Sequence, residues 1–195
     1  MRKDLISSAL AVVVLTIVLG LAYPLVVTGV SQVAFSGSAN GTLIRDDAGK
    51  VVGSELIARS TGGDPALFTP RPSATSYDPS ATYFRNLGPN SATAAELYRG
   101  RIRTYLAANG RDTPGLTAAR VPADAVTTSA SGVDPLISEA NADIQARRVA
   151  RVRGLPLPRV MALVRANRTG RFAGVFGEPG INTTTLNVAL EGTRS

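Results

Sequence analysis

Between Asp4 and Arg45 the chain carries no charged residue, and the stretch from Leu5 to about Val30 is built mainly of Leu, Val, Ile and Ala. About 20 consecutive apolar residues suffice to cross a bilayer, so this segment predicts a membrane-spanning helix and not an element of a soluble core. A cleaved export signal has a shorter apolar stretch of ~7–15 residues before a small-x-small site. The longer run predicts a retained anchor, with Tyr23-Pro24 placed where such a helix ends at the membrane interface. Arg2 and Lys3 precede the span, whereas Thr28 to Ile44 contains no basic residue. Basic residues accumulate on the cytoplasmic flank of a span, which predicts a cytoplasmic N-terminus and everything after the span outside. Direction constrains function, because ATP is cytoplasmic.

Of the 195 residues, those beyond the anchor suffice for one domain of ordinary size. Cysteine and histidine are both absent. That removes a disulfide framework, the usual zinc and copper ligands, and the commonest general base at neutral pH. No metal site is expected. The net charge is +7, and the only lysines are Lys3 and Lys50. Such a balance points toward nucleic acid or anionic lipid. The arginines are scattered, however, and their one dense run, Arg147 to Arg153, has no aromatic side chains interleaved for base stacking. A solvated basic helix face is expected there, and no nucleic-acid partner.

The organisation expected is an N-terminus and transmembrane helix over 1–30, a Ser/Gly-rich tether over 31–41, and a soluble domain over 42–195. Thr42 to Ser54 reads as strand, Asp/Gly turn, strand. Residues 61–90 are rich in proline and glycine, which predicts a long loop or a partner-binding arm. Asn90-Ser91 caps a helix in which Ala95, Tyr98, Ile102, Tyr105 and Leu106 form a core stripe, and Asn109-Gly110 stops it. A second helix starts at the cap Ser138 and ends at Gly154, with Ala142, Ala146, Val149 and Val152 on one side and Arg147, Arg148 and Arg151 on the other. Pro158 opens a third helix ending near Gly170. Ile181 to Leu190 alternates as a half-buried strand does, with Leu186, Val188 and Leu190 facing one way. The fold class is α+β: one transmembrane helix followed by a single compact domain.

Several chemistries lack their residues. A phosphate-cradling Gly-x4-Gly-Lys-Ser/Thr loop is missing, as is the Asp-Lys-Thr-Gly-Thr sequence whose aspartate a P-type pump phosphorylates. The chain cannot be the ATP-hydrolysing component of such a pump. Ser129 and Ser131 beside Asp134 suggest a serine hydrolase, but no histidine exists to activate them, so a turn with capping hydroxyls is the simpler expectation. The spacing of Asp64, Asp78, Asp124, Asp134 and Glu178 singles out no glycosidase pair. No catalytic residue is assigned.

Motifs recur in order along nearly the whole chain. They are Gly53-Ser54-x-Leu56-Ile57, Phe68-x-x-Arg71-Pro72-Ser73-Ala74-x-x-Tyr77, Asn86-Leu87-Gly88-Pro89, Val121-Pro122-x-Asp124, Ser129-x-Ser131-Gly132-x-Asp134-Pro135-x-Ile137-Ser138, Gln145-x-x-Arg148-Val149-Ala150-x-x-Arg153-Gly154 and Leu186-Asn187-x-Ala189-Leu190. In this order, after a short N-terminal span, they resemble the C subunit of the bacterial Kdp potassium-transporting ATPase. The resemblance implies a plasma-membrane complex with a channel-like potassium-binding subunit, a P-type ATPase subunit and a very small membrane subunit as partners, besides membrane lipid. It also implies a catalytic-chaperone role that raises the ATP affinity of the ATPase subunit, with Gln145 and Arg148 in the region touching nucleotide. The predicted orientation of the span points instead to an outer cap over the potassium entrance that helps assembly. Arg71, Pro72, Ser73 and Tyr77, together with Asn86, Ser131, Gly132 and Asp134, would then face a partner; the alternative is that Arg-Pro-Ser merely folds a loop. Departures from the family pattern are Ala58-Arg59 for Gly-Gln, Phe84-Arg85 for a Gly-rich approach to Asn86, Leu136 at a position often histidine, and Thr183-Thr184-Thr185 for a more apolar strand.

Overall fold

The computed structural model describes residues 1–46 and 48–192, so Asp47 of the expected turn and residues 193–195 lie outside the described residues. The chain divides into two compact units, Met1–Leu43 and Ile44–Ser195.

The first unit is dominated by one helix, Arg2–Ala34, which is long and apolar enough to cross a membrane. It consists of α1 (Arg2–Ile17), a π turn (Val18–Ala22) and α2 (Tyr23–Ala34). The helix therefore does not stop at Tyr23-Pro24. Proline breaks a helix because its ring meets the carbonyl four residues back, and the wider π turn, in which Tyr23 N–H reaches the Val18 carbonyl, gives that ring room. Residues 31–41, the expected tether, are largely helical. Ser31 to Ala34 contain no helix breaker, so α2 continues, and a further turn α3 (Ser36–Ala39) follows. Asn40 Nδ2 donates to Gln32 Oε1 at 3.1 Å across that bend.

The expected hairpin follows, β1 (Leu43–Arg45) and β2 (Val51–Ser54). Asp46 Oδ1 closes its turn by accepting from the backbone of Ala48 and Lys50. Residues 55–90 contain turns and bends but no helix or strand. Ser91 then caps α4 (Ala92–Asn109), its hydroxyl accepting from Ala94 N–H. The expected core stripe of α4 is only half realised. Ala94 and Asn109 are its buried residues, whereas Ala95, Ile102, Tyr105 and Leu106 are half-buried and Tyr98 is exposed, because α4 leans on one side of the domain and leaves a groove beside it.

Ser138 caps α5 (Glu139–Arg153), and Gly154 ends it in the left-handed conformation at φ 66°. α6 (Leu157–Ala166) follows through Pro156 and Pro158. It ends before Gly170, because the Asn167 side chain folds back onto the Leu163 carbonyl and the chain enters a strand. β3 (Leu136–Ile137), β4 (Arg168–Thr169) and β5 (Gly180–Asn182) form an antiparallel sheet in the order β3-β5-β4, with Ile137 opposite Ile181 and Arg168 opposite Ile181.

The expected strand over Ile181–Leu190 is a correction. Only Gly180–Asn182 is strand, and α7 (Thr183–Glu191) takes the rest. Leu186 and Leu190 fit period two and period 3.6 equally well. The cap decides, since Asn182 Oδ1 accepts from the backbone of both Thr184 and Thr185. Thr183 and Thr184 are buried, and their hydroxyls donate to the carbonyls of Pro135 and Ile57. A core of Phe68, Ile137, Ala146, Val149, Val160, Val164, Ile181, Leu186 and Leu190 joins α5, α6, α7 and the sheet.

Candidate functional site

Asn141, Gln145 and Arg148 repeat at helical spacing on α5, one step around from the apolar stripe of Ala142, Ala146 and Val149. That stripe faces the core, so the three polar side chains are drawn inward with it, and all three are buried. Arg148, expected on the solvated face, is 6% exposed, while Val152 turns outward and Arg147 and Arg151 stay in solvent. A buried guanidinium needs partners. Arg148 Nη2 donates to the Leu67 carbonyl and to Gln145 Oε1, both at 2.9 Å.

Four side chains hold residues 66–69 in this way. Arg153 Nε donates to the Ala66 carbonyl at 2.7 Å and Arg148 to that of Leu67. Asn187 accepts from Phe68 N–H and donates to the Phe68 carbonyl, each at 2.8 Å. Gln145 does the same for Thr69, at 2.8 and 3.0 Å. The two amides thus pair with a backbone segment as a neighbouring strand would. Behind them Gln145 Nε2 and the Tyr105 hydroxyl both donate to Asn141 Oδ1, and Asp124 accepts from Ser138 N–H, Ser138 Oγ and Asn141 Nδ2. Burial, and then the nearby Asp124 carboxylate, push the Tyr105 phenol far above its ordinary range. Burial pulls the Arg148 guanidinium down, an effect that Tyr105, Asp112 and Asp64 oppose. Gln145 and Arg148 also line a groove of about 600 Å³ walled by Pro70, Pro72, Tyr77, Leu97 and Tyr105.

A second cluster brings together most of the residues expected to face a partner. Arg71 and Asp134 form an ion pair at 2.9 Å. Ser73 Oγ accepts from the backbone of Thr75 and Tyr77, and the Tyr77 hydroxyl returns to the Arg71 carbonyl at 3.0 Å. Ser129 N–H donates to the Pro72 carbonyl, fastening this turn to residues 129–134. Ser131 Oγ lies 3.2 Å from Ser129 Oγ and accepts from Val133 N–H. Gly132 sits at φ 75°, and a Cβ there would stand 2.7 Å from Thr75 Oγ1. Arg71, Pro72, Ser73, Tyr77, Ser131, Gly132 and Asp134 therefore interlock two loops with one another. Burial raises the Tyr77 pKa, against the lowering effect of Arg101.

Asn86 is not part of that knot. It lies on an exposed arm and lines a separate groove of about 250 Å³ with Ala74, Leu97, Tyr98 and Ala130. Ser129 is buried; its hydroxyl meets the Ser131 hydroxyl and accepts from Asp134 N–H, and among the described residues no carboxylate or lysine side chain hydrogen-bonds to it. Among the described residues no cluster of three or more Asp or Glu is arranged to hold a metal ion.

Sequence reasoning alone does not single out Arg153 and Asn187, which hold residues 66–69, or Asn141 behind Gln145, as site residues. The available signal is the heptad repetition of amide and guanidinium side chains beside the apolar stripe of α5. Asn187 carries none, because the alternation expected over Ile181–Leu190 puts it on the outward side of a strand.

The family model described as KdpC, the c chain of the K+-transporting ATPase, matches residues 5–192. The potassium-transporting ATPase KdpC subunit of Caulobacter sp. (strain K31) is 45% identical over 193 residues, covering 98% of this chain and 92% of that one. That of Sorangium cellulosum (strain So ce56) is 44% identical over 197 residues, covering 100% of both. That of Koribacter versatilis (strain Ellin345) is 41% identical over 197 residues, covering 100% of this chain and 97% of its own. With an N-terminal apolar helix, an α+β domain and a match running from the span to α7, the chain belongs to the KdpC family, the c chain of the K+-transporting ATPase.

Proposed function

We propose that this subunit of the potassium-transporting complex is an accessory, non-catalytic one. Its second unit stands outside the cell, assists assembly and caps the outer potassium entrance of the channel-like subunit. The observation that carries this reading is charge placement. Arg2 and Lys3 form the first turn of a 33-residue helix that is otherwise apolar after Asp4, and no basic residue follows until Arg45. At 1.5 Å per residue that helix is about 50 Å long, enough to cross a hydrocarbon layer of ~30 Å and project beyond it. ATP is consumed by the ATPase subunit on the other side, and no cofactor is assigned to this chain.

The alternative reading is a chaperone that touches nucleotide through Gln145 and Arg148. Its residues do line the larger groove. Both amide atoms of Gln145, however, are engaged by Thr69, Asn141 and Arg148, and Arg148 Nη2 is engaged by Leu67, so a nucleotide would have to displace the bonds that hold Leu67 and Thr69. Titration calorimetry of the full chain in detergent, without partners, is expected to give no heat with Mg-ATP. Saturable binding that Gln145→Ala abolishes would transfer the assignment to the chaperone.

A further inference from the structure

Between Asp78 and Asn90 every residue is exposed. This arm contains Tyr83-Phe84-Arg85 immediately before the Asn86-Leu87-Gly88-Pro89 motif. Tyr83 is 56% and Phe84 57% exposed, large apolar surface that the domain does not use. Among the described residues no hydrogen bond engages the backbone of residues 82–87, although the turns on either side, closed by Asp78 and by Ser91, are bonded. Asn86 is held at φ 47°, outside the region that a relaxed strand or helix would choose. Tyr83 to Leu87 themselves form one wall of the groove of about 250 Å³ whose other walls are Ala74, Leu97, Tyr98 and residues 127–130.

We infer that this arm, and not the interlocked Arg71–Tyr77 turn, is a docking element for another subunit of the complex, and that it takes an apolar surface bearing carboxylates. Three observations choose the occupant. Arg85 on the arm stands near Arg101 of α4, and neither joins an ion pair among the described residues. A surface with that positive charge is complementary to an acidic one. Aromatic side chains beside arginine are the composition that protein interfaces concentrate at their energetic centre. The unbonded backbone decides between protein and lipid: an acyl layer leaves its N–H and C=O groups unmet at high cost, whereas the edge of a partner chain can pair them. Arg85 also stands close enough to Arg101 to add to the depression of its pKa that burial produces, a repulsion that a partner carboxylate would relieve.

The inference rests on membership of the complex and not on which side of the membrane the domain occupies, so it survives or fails separately from the capping role. The test places the photo-crosslinking residue benzoylphenylalanine at position 84 of the full chain in the purified assembled complex. Position 172, an exposed phenylalanine elsewhere on the domain, serves as control. Irradiation is expected to join position 84 to another polypeptide of the complex. Tyr83→Ser/Phe84→Ser and Arg85→Glu, which alter only exposed positions and so should melt as the parent does, are expected to weaken association of the chain with the remaining subunits roughly 30-fold or more, as loss of an interfacial hot spot does. Adducts with phospholipid or with a second copy of this chain, no adduct at position 84, or unchanged association of the variants would each overturn the assignment.

Discussion

Asn187→Ala tests whether residues 66–69 are held by amide pairing or merely lie against the core. Phe68 is fully buried, and both of its backbone groups are met by the one Asn187 side chain at 2.8 Å. Truncation leaves a buried donor and a buried acceptor without partners, at ~1–3 kcal/mol each. Asn187 itself is half-buried, so some water will enter, and the expected loss is about 3 kcal/mol. For a chain of this size that is a fall of about 6–12 °C in Tm, read by circular dichroism on the full chain in detergent. Asn187→Asp separates hydrogen bonding from packing. Its carboxylate can still accept from Phe68 N–H but faces the Phe68 carbonyl oxygen, and only the protonated acid can donate to it. The folded-state pKa of the introduced carboxyl would thus be raised above the unfolded value of about 3.9. Its stabilising contribution is complete below that value and is lost as pH rises through the folded one, so the variant should approach the parent near pH 4 and fall furthest behind at pH 7. A loss under ~1 kcal/mol for Asn187→Ala, or a deficit in Asn187→Asp that does not change with pH, would refute the clamp.

Gly132→Ala forces a Cβ into the left-handed region and to 2.7 Å from Thr75 Oγ1. It is expected to cost about 1–3 kcal/mol in urea unfolding, and adding Thr75→Ala should restore the steric part but not the backbone part. Burial, and then Glu139, raise the Asp143 pKa, against the lowering effect of Arg147. Because the folded value exceeds the unfolded one, the acid favours folding at low pH and forfeits that as pH rises. Asp143→Asn should therefore be slightly more stable than the parent at pH 7 and no different near pH 3, a small effect because the residue is exposed.

Much of the fold could be read from local chemistry. Ser91, Ser138 and Gly154 mark helix ends by hydroxyl caps and a left-handed stop, and Asp46 and Gly49 mark a turn, because each acts within a few residues of itself. Where two local readings compete, hydrophobic periodicity alone does not decide. Leu186 and Leu190 satisfy both periods, and Asn182 chooses helix. Pro24 looks like a stop until a π turn accommodates it. Arg148 shows the limit most clearly: its charge predicts solvent, yet its place beside the apolar stripe of α5 takes it inward, where the distant Leu67 carbonyl receives it. The loop knot follows the same pattern. Its residues are legible as a set, but the set binds Arg71 to Asp134 and Pro72 to Ser129 across distant stretches of chain, which no spacing rule reveals.

The central claim is the side of the membrane on which the second unit stands. The chain has no cysteine, so Arg111→Cys at an exposed position just beyond α4 introduces a single thiol. In intact cells expressing the whole complex, a membrane-impermeant maleimide should label that thiol as fully as it does after lysis. Protection in intact cells, with labelling only once the membrane is opened, would place the domain beside cytoplasmic ATP and contradict the account.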